Sequence, residues 1–107
     1  MKMITAIVNK KDVNDVSVAL TENGFEFTKM STSGGFLRAG NVTLLIGTED
    51  EKVDAALDII RKNCSRRTEM VSAVTASPLP AALAYMTEVT VGGAIVFVTD
   101  VVRFEKM

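Results

Sequence analysis

The chain has 107 residues, of which 48% are hydrophobic and 23% charged, and this composition predicts one globular domain over residues 1–107. With 12 Lys and Arg against 13 Asp and Glu, the formal net charge is −1, so the chain lacks the broad positive field that drives binding to DNA or RNA. The absence of His excludes Ser-His-Asp and Cys-His catalysis and metal sites that depend on imidazole.

The first 30 residues predict a strand, a helix and a second strand. Residues 2–8 form a short, apolar and partly β-branched run of strand length. A helix is predicted over about 12–23, because apolar residues recur at steps of three and four and Asn23-Gly24 is a typical helix end. Residues 25–30 alternate apolar and polar side chains, a pattern typical of a strand with one face exposed to solvent. The recurring apolar residues of the helix are Val13, Val16, Ala19 and Leu20.

The same order recurs from residue 41 onward. Residues 42–46 are predicted as a third strand, and Thr48 with Glu51 three residues later has the pattern of a capping box before a second helix. Residues 68–74 are predicted as a further strand. The apolar face of the second helix consists of Val53, Ala56, Leu57, Ile60 and Cys64. Two successive β-α-β units predict an α+β fold, a ferredoxin-like βαββαβ sandwich with both helices on one face of the sheet.

The last third of the chain predicts a loop and an extra C-terminal strand or hairpin. Residues 75–86 contain both prolines and four alanines, a composition typical of a surface loop. Residues 88–91 and 94–98 are strand-like and flank Gly92-Gly93. They therefore form either a hairpin or one bulged strand at the edge of the sheet.

Strand patterning also predicts an oligomer. In the first strand, Met3 and Ile7 point one way while three apolar residues point the other, so both faces of the strand are apolar. The last strand shows the same two-sided pattern. Since two helices cover one face of a ferredoxin-like sheet, we expect copies of the chain to cover the other. The alternative is that the loop over residues 75–86 folds across it.

The groups that could carry catalysis have structural explanations. Asp12, Asp15 and Asp50 lie at predicted helix starts, where carboxylates interact favourably with free backbone N–H groups. Cys64 ends an apolar helical face, a position typical of a buried, inert thiol. We therefore expect no enzyme, no catalytic residue and no metal site.

The compartment is predicted from what the sequence lacks. A single Cys forms no internal disulfide, which fits a reducing environment. The apolar run near the start is too short for a signal peptide, and no run is long enough to span a membrane. A cytoplasmic protein without membrane insertion is therefore expected.

The segment over residues 28–41, Thr-Lys-Met-Ser-Thr-Ser-Gly-Gly-Phe-Leu-Arg-Ala-Gly-Asn, carries the most specific chemistry. Its glycines and hydroxyl side chains favour a backbone that turns its N–H groups toward an anion such as phosphate. Asn41 offers the paired donor and acceptor that match an adenine edge. Phe36 or Leu37 can pack on a base, and Arg38 can pair with phosphate. The segment is also compatible with a flexible turn whose apolar pair fills a subunit interface.

At these residues the chain resembles the PII-like cyclic di-AMP receptor proteins, small cytoplasmic signalling proteins of bacteria. The resemblance extends over nearly the whole chain and covers the opening Met-Lys-Met-Ile-Thr-Ala-Ile-Val, the 28–41 segment, residues 50–54 before the second helix, Cys64 and the closing run over residues 89–98. It implies a PII-like homotrimer of ferredoxin-like subunits that holds cyclic di-AMP in clefts between neighbours. It further implies that the protein catalyses no reaction, uses no cofactor and signals to a protein partner that the sequence does not identify.

The resemblance implies seven ligand-contacting residues, carried over by position. Thr28 and Asn41 would read base edges, the backbone over residues 35–37 would donate N–H groups, and Gly47 would let the ligand approach the backbone. Phe97 would pack against an adenine, for which ordinary core packing is the alternative. The implied set is Thr28, Gly35, Phe36, Leu37, Asn41, Gly47 and Phe97.

The chain departs from the family pattern at two positions. Relatives that bind cyclic di-AMP commonly carry Arg where this chain has Glu26, and a polar residue where it has Gly24. An anion in place of a cation disfavours a dianionic ligand. The alternative function is therefore that of a PII-like trimeric interaction protein that has lost cyclic di-AMP and binds another small anionic ligand or only protein partners.

Overall fold

The computed structural model describes residues 1–32, 40–64, 67–72 and 86–107. Six strands, two α-helices and one short 3-10 helix lie in these ranges, and each predicted strand and helix has a counterpart. In chain order they are β1 (Lys2–Asn9), α1 (Val13–Glu22), β2 (Phe27–Thr32), β3 (Asn41–Thr48), the 3-10 helix (Asp50–Lys52), α2 (Val53–Asn63), β4 (Arg67–Ser72), β5 (Met86–Val91) and β6 (Ala94–Asp100). The greater part of the predicted loop over residues 75–86 lies outside the described residues.

Four strands form an antiparallel sheet in the order β2-β3-β1-β6. Both helices pack on the face that carries Ile4, Ala6 and Val8 of β1, all of which are 0% exposed. Helix α1 contributes Val16 and Leu20 to this core. The predicted α+β class, with two helices on one side of an antiparallel sheet, is confirmed and is consistent with a ferredoxin-like fold.

The predicted apolar face of α2 is also confirmed. Ala56, Ile60 and Cys64 are buried in the core, and Val53 and Leu57 are half-buried against it. The spacing of these residues places them along one side of the helix, toward the sheet. Neither helix of the described residues is long and apolar enough to cross a lipid bilayer.

The pairing of the C-terminal strands differs from the prediction. Strand β4 pairs with β5 in a separate two-stranded sheet, and β6 pairs with β1 as the fourth strand of the main sheet. The prediction of a hairpin across Gly92-Gly93 is therefore wrong, since β5 and β6 pair with different strands, whereas the predicted extra C-terminal strand at the edge of the sheet is confirmed as β6. The two glycines have φ values of +82° and +77°, a conformation that other residues rarely adopt, and they turn the chain from one sheet into the other.

The predicted capping box at Thr48 and Glu51 is wrong. Thr48 is the last residue of β3 and pairs with Lys2 of β1. The residue that precedes the 3-10 helix is Glu49, which makes no side-chain cap hydrogen bond. Strand pairing thus keeps Thr48 in extended backbone, and the helical region begins one residue further along than the capping-box pattern implies.

Candidate functional site

Among the residues that the structure describes, no helix packs on the second face of the main sheet. Because residues directly opposite each other in a ladder point to the same face, the register assigns this face residue by residue. One row across it runs from Thr28 in β2 through Leu45 and Thr5 to Phe97 in β6. We call this surface the helix-free face, and its described residues include Met3, Thr5, Ile7, Thr28, Met30, Asn41, Thr43, Leu45, Gly47, Ile95 and Phe97.

The helix-free face is largely apolar but incompletely covered. Ile7, Leu45 and Ile95 are half-buried, while Met30 is 40% and Phe97 44% exposed. The prediction that β1 is apolar on both sides is confirmed, because Met3 and Ile7 point away from the helix-covered core. In one copy of the chain, these apolar groups remain partly in water.

A cavity of about 440 Å³, hereafter the sheet cavity, opens at one end of the helix-free face. Thr28, Leu45 and Gly47 contribute to its wall from β2 and β3. Gly47 has no side chain, and a Cβ added there would lie 3.7 Å from Cε of Met1, so the Met1 side chain passes directly over this glycine. The remaining lining residues are Met1, Met3, Glu26, Phe27, Val101 and Phe104.

Among the residues that the structure describes, Glu26 is the only one that lines the sheet cavity with a charged side chain. It is exposed, and it also borders a smaller cavity of about 200 Å³ together with Gly24 and Lys52. Both departures from the family pattern, Glu26 and Gly24, therefore lie beside the cavity that contains Thr28 and Gly47. A carboxylate at this place repels a phosphate group that approaches it.

Two ion pairs hold the chain start beside the sheet cavity. The α-amino group of Met1 lies 2.9 Å from Oδ1 of Asp50, and the hydrogen bond between them raises the pKa of the amine and lowers the pKa of Asp50. Lys2 forms an ion pair with Asp100, and the hydrogen bond to this carboxylate raises the pKa of Lys2. The Val101 N–H donates to the Met1 carbonyl oxygen at 3.2 Å. The Lys2–Asp100 pair and this hydrogen bond join the start of β1 to the end of β6, and the Met1–Asp50 pair joins the chain start to the 3-10 helix.

The structure brings two of the seven implied site residues, Thr28 and Gly47, into one cavity. Asn41 is at the opposite end of β3, about 20 Å from Gly47 along the strand, and is 6% exposed. Phe97 shares a cross-strand row with Thr28, but three strand spacings, about 14 Å, separate them. Gly35, Phe36 and Leu37 lie outside the described residues.

Sequence reasoning missed the contribution of the chain after β6. Val101 and Phe104 line the sheet cavity, although they follow the last predicted strand. An aromatic residue between the charged Arg103 and Glu105 is the sequence signal that could have marked this segment. Its position depends on the contact with Met1, which lies at the other end of the chain.

A second groove lies on the helix-covered side, between α2 and the edge strand β6. It has a volume of about 480 Å³ and is lined by apolar residues that include Leu57, Val96 and Val98, with Arg61 at its border. The buried Cys64 also borders it, so the thiol is in the apolar setting that the sequence predicts. Of the implied ligand residues that the structure describes, none lines this groove. Within the described ranges, His, Cys, Asp and Glu form no cluster that could hold a metal ion.

Comparisons with known proteins extend over the whole chain. Residues 1–107 match the family described as cyclic-di-AMP receptor. The chain is also similar to the crystal structure of a functionally unknown protein from Pediococcus pentosaceus ATCC 25745, with 40% sequence identity and a TM-score of 0.77. That similarity covers 99% of this chain and 96% of the other, so both chains share one fold from end to end.

Proposed function

Because this chain belongs to the cyclic-di-AMP receptor family, we propose that it is a non-catalytic PII-like receptor that binds cyclic di-AMP or a related nucleotide. The observation that carries the proposal is that Thr28 and Gly47, two residues implied by the resemblance, line one cavity of the helix-free face. Its volume of about 440 Å³ falls within the range of about 300–1,000 Å³ that is usual for ligand pockets.

The ligand binds in clefts between the subunits of a homotrimer. Thr28 and Phe97 lie about 14 Å apart on one sheet, so a base that contacts Thr28 is out of reach of Phe97 of the same chain. A neighbouring subunit can supply Phe97 to that cleft. Association also removes the apolar, half-covered residues of the helix-free face from water, which favours it by about 25 cal/mol per Å² of apolar area.

The remaining implied residues complete the site from the segment between β2 and β3 and from the first residue of β3. Asn41 reads a base edge, the backbone over residues 35–37 donates N–H groups, and Phe36 and Leu37 pack on the ligand. Ligand binding makes and breaks no covalent bond. The signal is therefore a change in the surface of the trimer that a protein partner in the cytoplasm recognises. No cofactor or metal takes part.

One observation favours a second candidate function. Glu26 places a negative charge in the lining of the sheet cavity, where a dianionic ligand would gain from a cation. In this second candidate, the protein is a PII-like trimeric interaction protein that no longer binds cyclic di-AMP and takes another small anionic ligand or only protein partners.

Isothermal titration of the purified full chain with cyclic di-AMP separates the two candidates, with cyclic di-GMP as the matched control. The receptor function predicts saturable heat with cyclic di-AMP at one ligand per subunit cleft. The same ligand should also raise the melting temperature, since it binds the native state alone. Absence of heat together with an unchanged melting temperature would reject the receptor and favour the interaction protein.

A further inference from the structure

The chain after β6, residues 101–107, closes one side of the sheet cavity. The hydrogen bond from the Val101 N–H to the Met1 carbonyl oxygen fixes where this C-terminal segment leaves the sheet. Val101 and Phe104 then line the cavity together with Thr28 and Gly47. The segment therefore shares a cavity with two residues of the proposed ligand site, although the resemblance assigned it no role.

Phe104 is an aromatic side chain that the hydrophobic core does not use. Its exposed fraction is 64%, whereas Phe25 is 9% exposed and Phe27 packs against the core. Next to it, Nη2 of Arg103 lies 2.7 Å from Oε1 of Glu105, an ion pair that joins the residues on either side of the ring. Core packing thus explains the other two phenylalanines of this region but leaves the position of Phe104 unexplained.

The chemistry of the cavity suits the base of a nucleotide. Its walls are mostly apolar, with Met3, Leu45 and Val101 among them. A flat ring at the edge of such a cavity offers a face on which a base can stack, and stacking is a contact that every base can make.

We propose that Phe104 stacks on a base of the bound nucleotide and that the C-terminal segment forms one wall of the ligand site. This inference rests on the proposed function, because it adds a contact to the same cavity. It also gives the C-terminal segment a role in ligand binding, since contact with the ligand would couple the position of the segment to binding.

The test is isothermal titration of the full chain with cyclic di-AMP across a set of variants at position 104. Phe104→Ala and Phe104→Leu are expected to weaken binding about tenfold or more, because both remove the aromatic face. Phe104→Tyr keeps that face and is expected to bind within about twofold of the wild type. Val102→Ala is the matched control, because Val102 is 99% exposed, belongs to the same segment and does not line the cavity.

The outcomes separate this inference from the proposed function. If the wild type binds and Phe104→Ala binds equally well, the inference is overturned while the receptor function stands. Wild-type affinity in Phe104→Leu would overturn stacking in favour of apolar bulk. If the wild type shows no binding, both fail together. Melting temperatures without ligand complete the test, since a ring that only packs would change stability and leave the affinity of the folded variants unaltered.

Discussion

The two faces of the main sheet use apolar residues in different ways. On the helix-covered face, Ile4, Ala6 and Val8 of β1 are fully buried by α1 and α2. On the helix-free face, Ile7 of the same strand is half-buried and Phe97 of the adjacent β6 is 44% exposed. Since both faces carry apolar side chains, the presence of apolar residues alone does not distinguish a face that folds the chain from one available for association and ligand binding.

Shortening a buried side chain on the helix-covered face should give the largest effect. Leu44→Ala is expected to lower the free energy of unfolding by about 2–5 kcal/mol, because Leu44 is 0% exposed and the substitution leaves a cavity in the core. Leu45→Ala is the matched control on the helix-free face, one residue along the same strand and only half-buried. Urea denaturation of both variants measures the difference, and equal losses would contradict the contrast between the faces.

Placing a charge on the helix-free face should disrupt the proposed trimer. Phe97→Glu puts a carboxylate on the helix-free face at the edge strand β6, which a subunit interface tolerates poorly and a free surface tolerates well. Light scattering is expected to give a mass near that of one chain for this variant and about three times that mass for the wild type. Val102→Glu, at a fully exposed position, should keep the wild-type mass. A monomeric wild type would contradict the prediction.

Local periodicity was sufficient to predict the buried faces of α1 and α2 and the two apolar sides of β1. The steps of three and four that relate Ala56 and Ile60 along α2, and the alternation in β1, follow directly from helix and strand geometry. Local periodicity does not predict which strands pair with each other. Residues 68–74 have the composition of a strand, but β4 pairs with β5 because of contacts that are distant in sequence. Gly92-Gly93 marked a change of direction without indicating which sheet each side joins.

The candidate site was predictable only in part, for a similar reason. Thr28 and Gly47 came from the family resemblance, and the antiparallel pairing of β2 with β3 brings them to one cavity. Phe104 reaches that cavity because β6 pairs with β1 and the chain beyond it contacts Met1. That juxtaposition joins residues from the two ends of the sequence, so the local pattern around Phe104 can mark the segment but cannot show which cavity it lines.

Reversing the charge at position 26 tests whether the phosphates of the ligand lie beside this side chain on the helix-free face. Glu26→Arg is expected to tighten cyclic di-AMP binding by about tenfold, or ~1.4 kcal/mol, because a cation replaces an anion beside a ligand with two phosphates. Glu26→Gln should fall between the wild type and Arg. Titration at low and high salt measures the effect, which should shrink as screening increases.

The matched control for position 26 is Glu22→Arg. It makes the same change in net charge at an exposed residue of α1 that does not line the sheet cavity. If Glu22→Arg tightens binding as much as Glu26→Arg, the gain reflects overall charge and not the position of Glu26. Should Glu26→Arg weaken binding instead, the phosphates do not lie near this side chain.

The smallest expected effect concerns the exposed ion pair at the rim of the sheet cavity. The Met1 amine lowers the pKa of Asp50 in the folded protein, so the pair contributes stability above the ordinary Asp pKa of 3.8. That contribution is lost as the pH falls through the lower pKa of the folded state. Asp50→Asn should therefore lower the urea midpoint slightly at pH 7 and leave it nearly unchanged at the acid end of this window. Because both groups are exposed, solvent screens the pair, and a large loss at pH 7 would mean that Asp50 does more than hold the chain start.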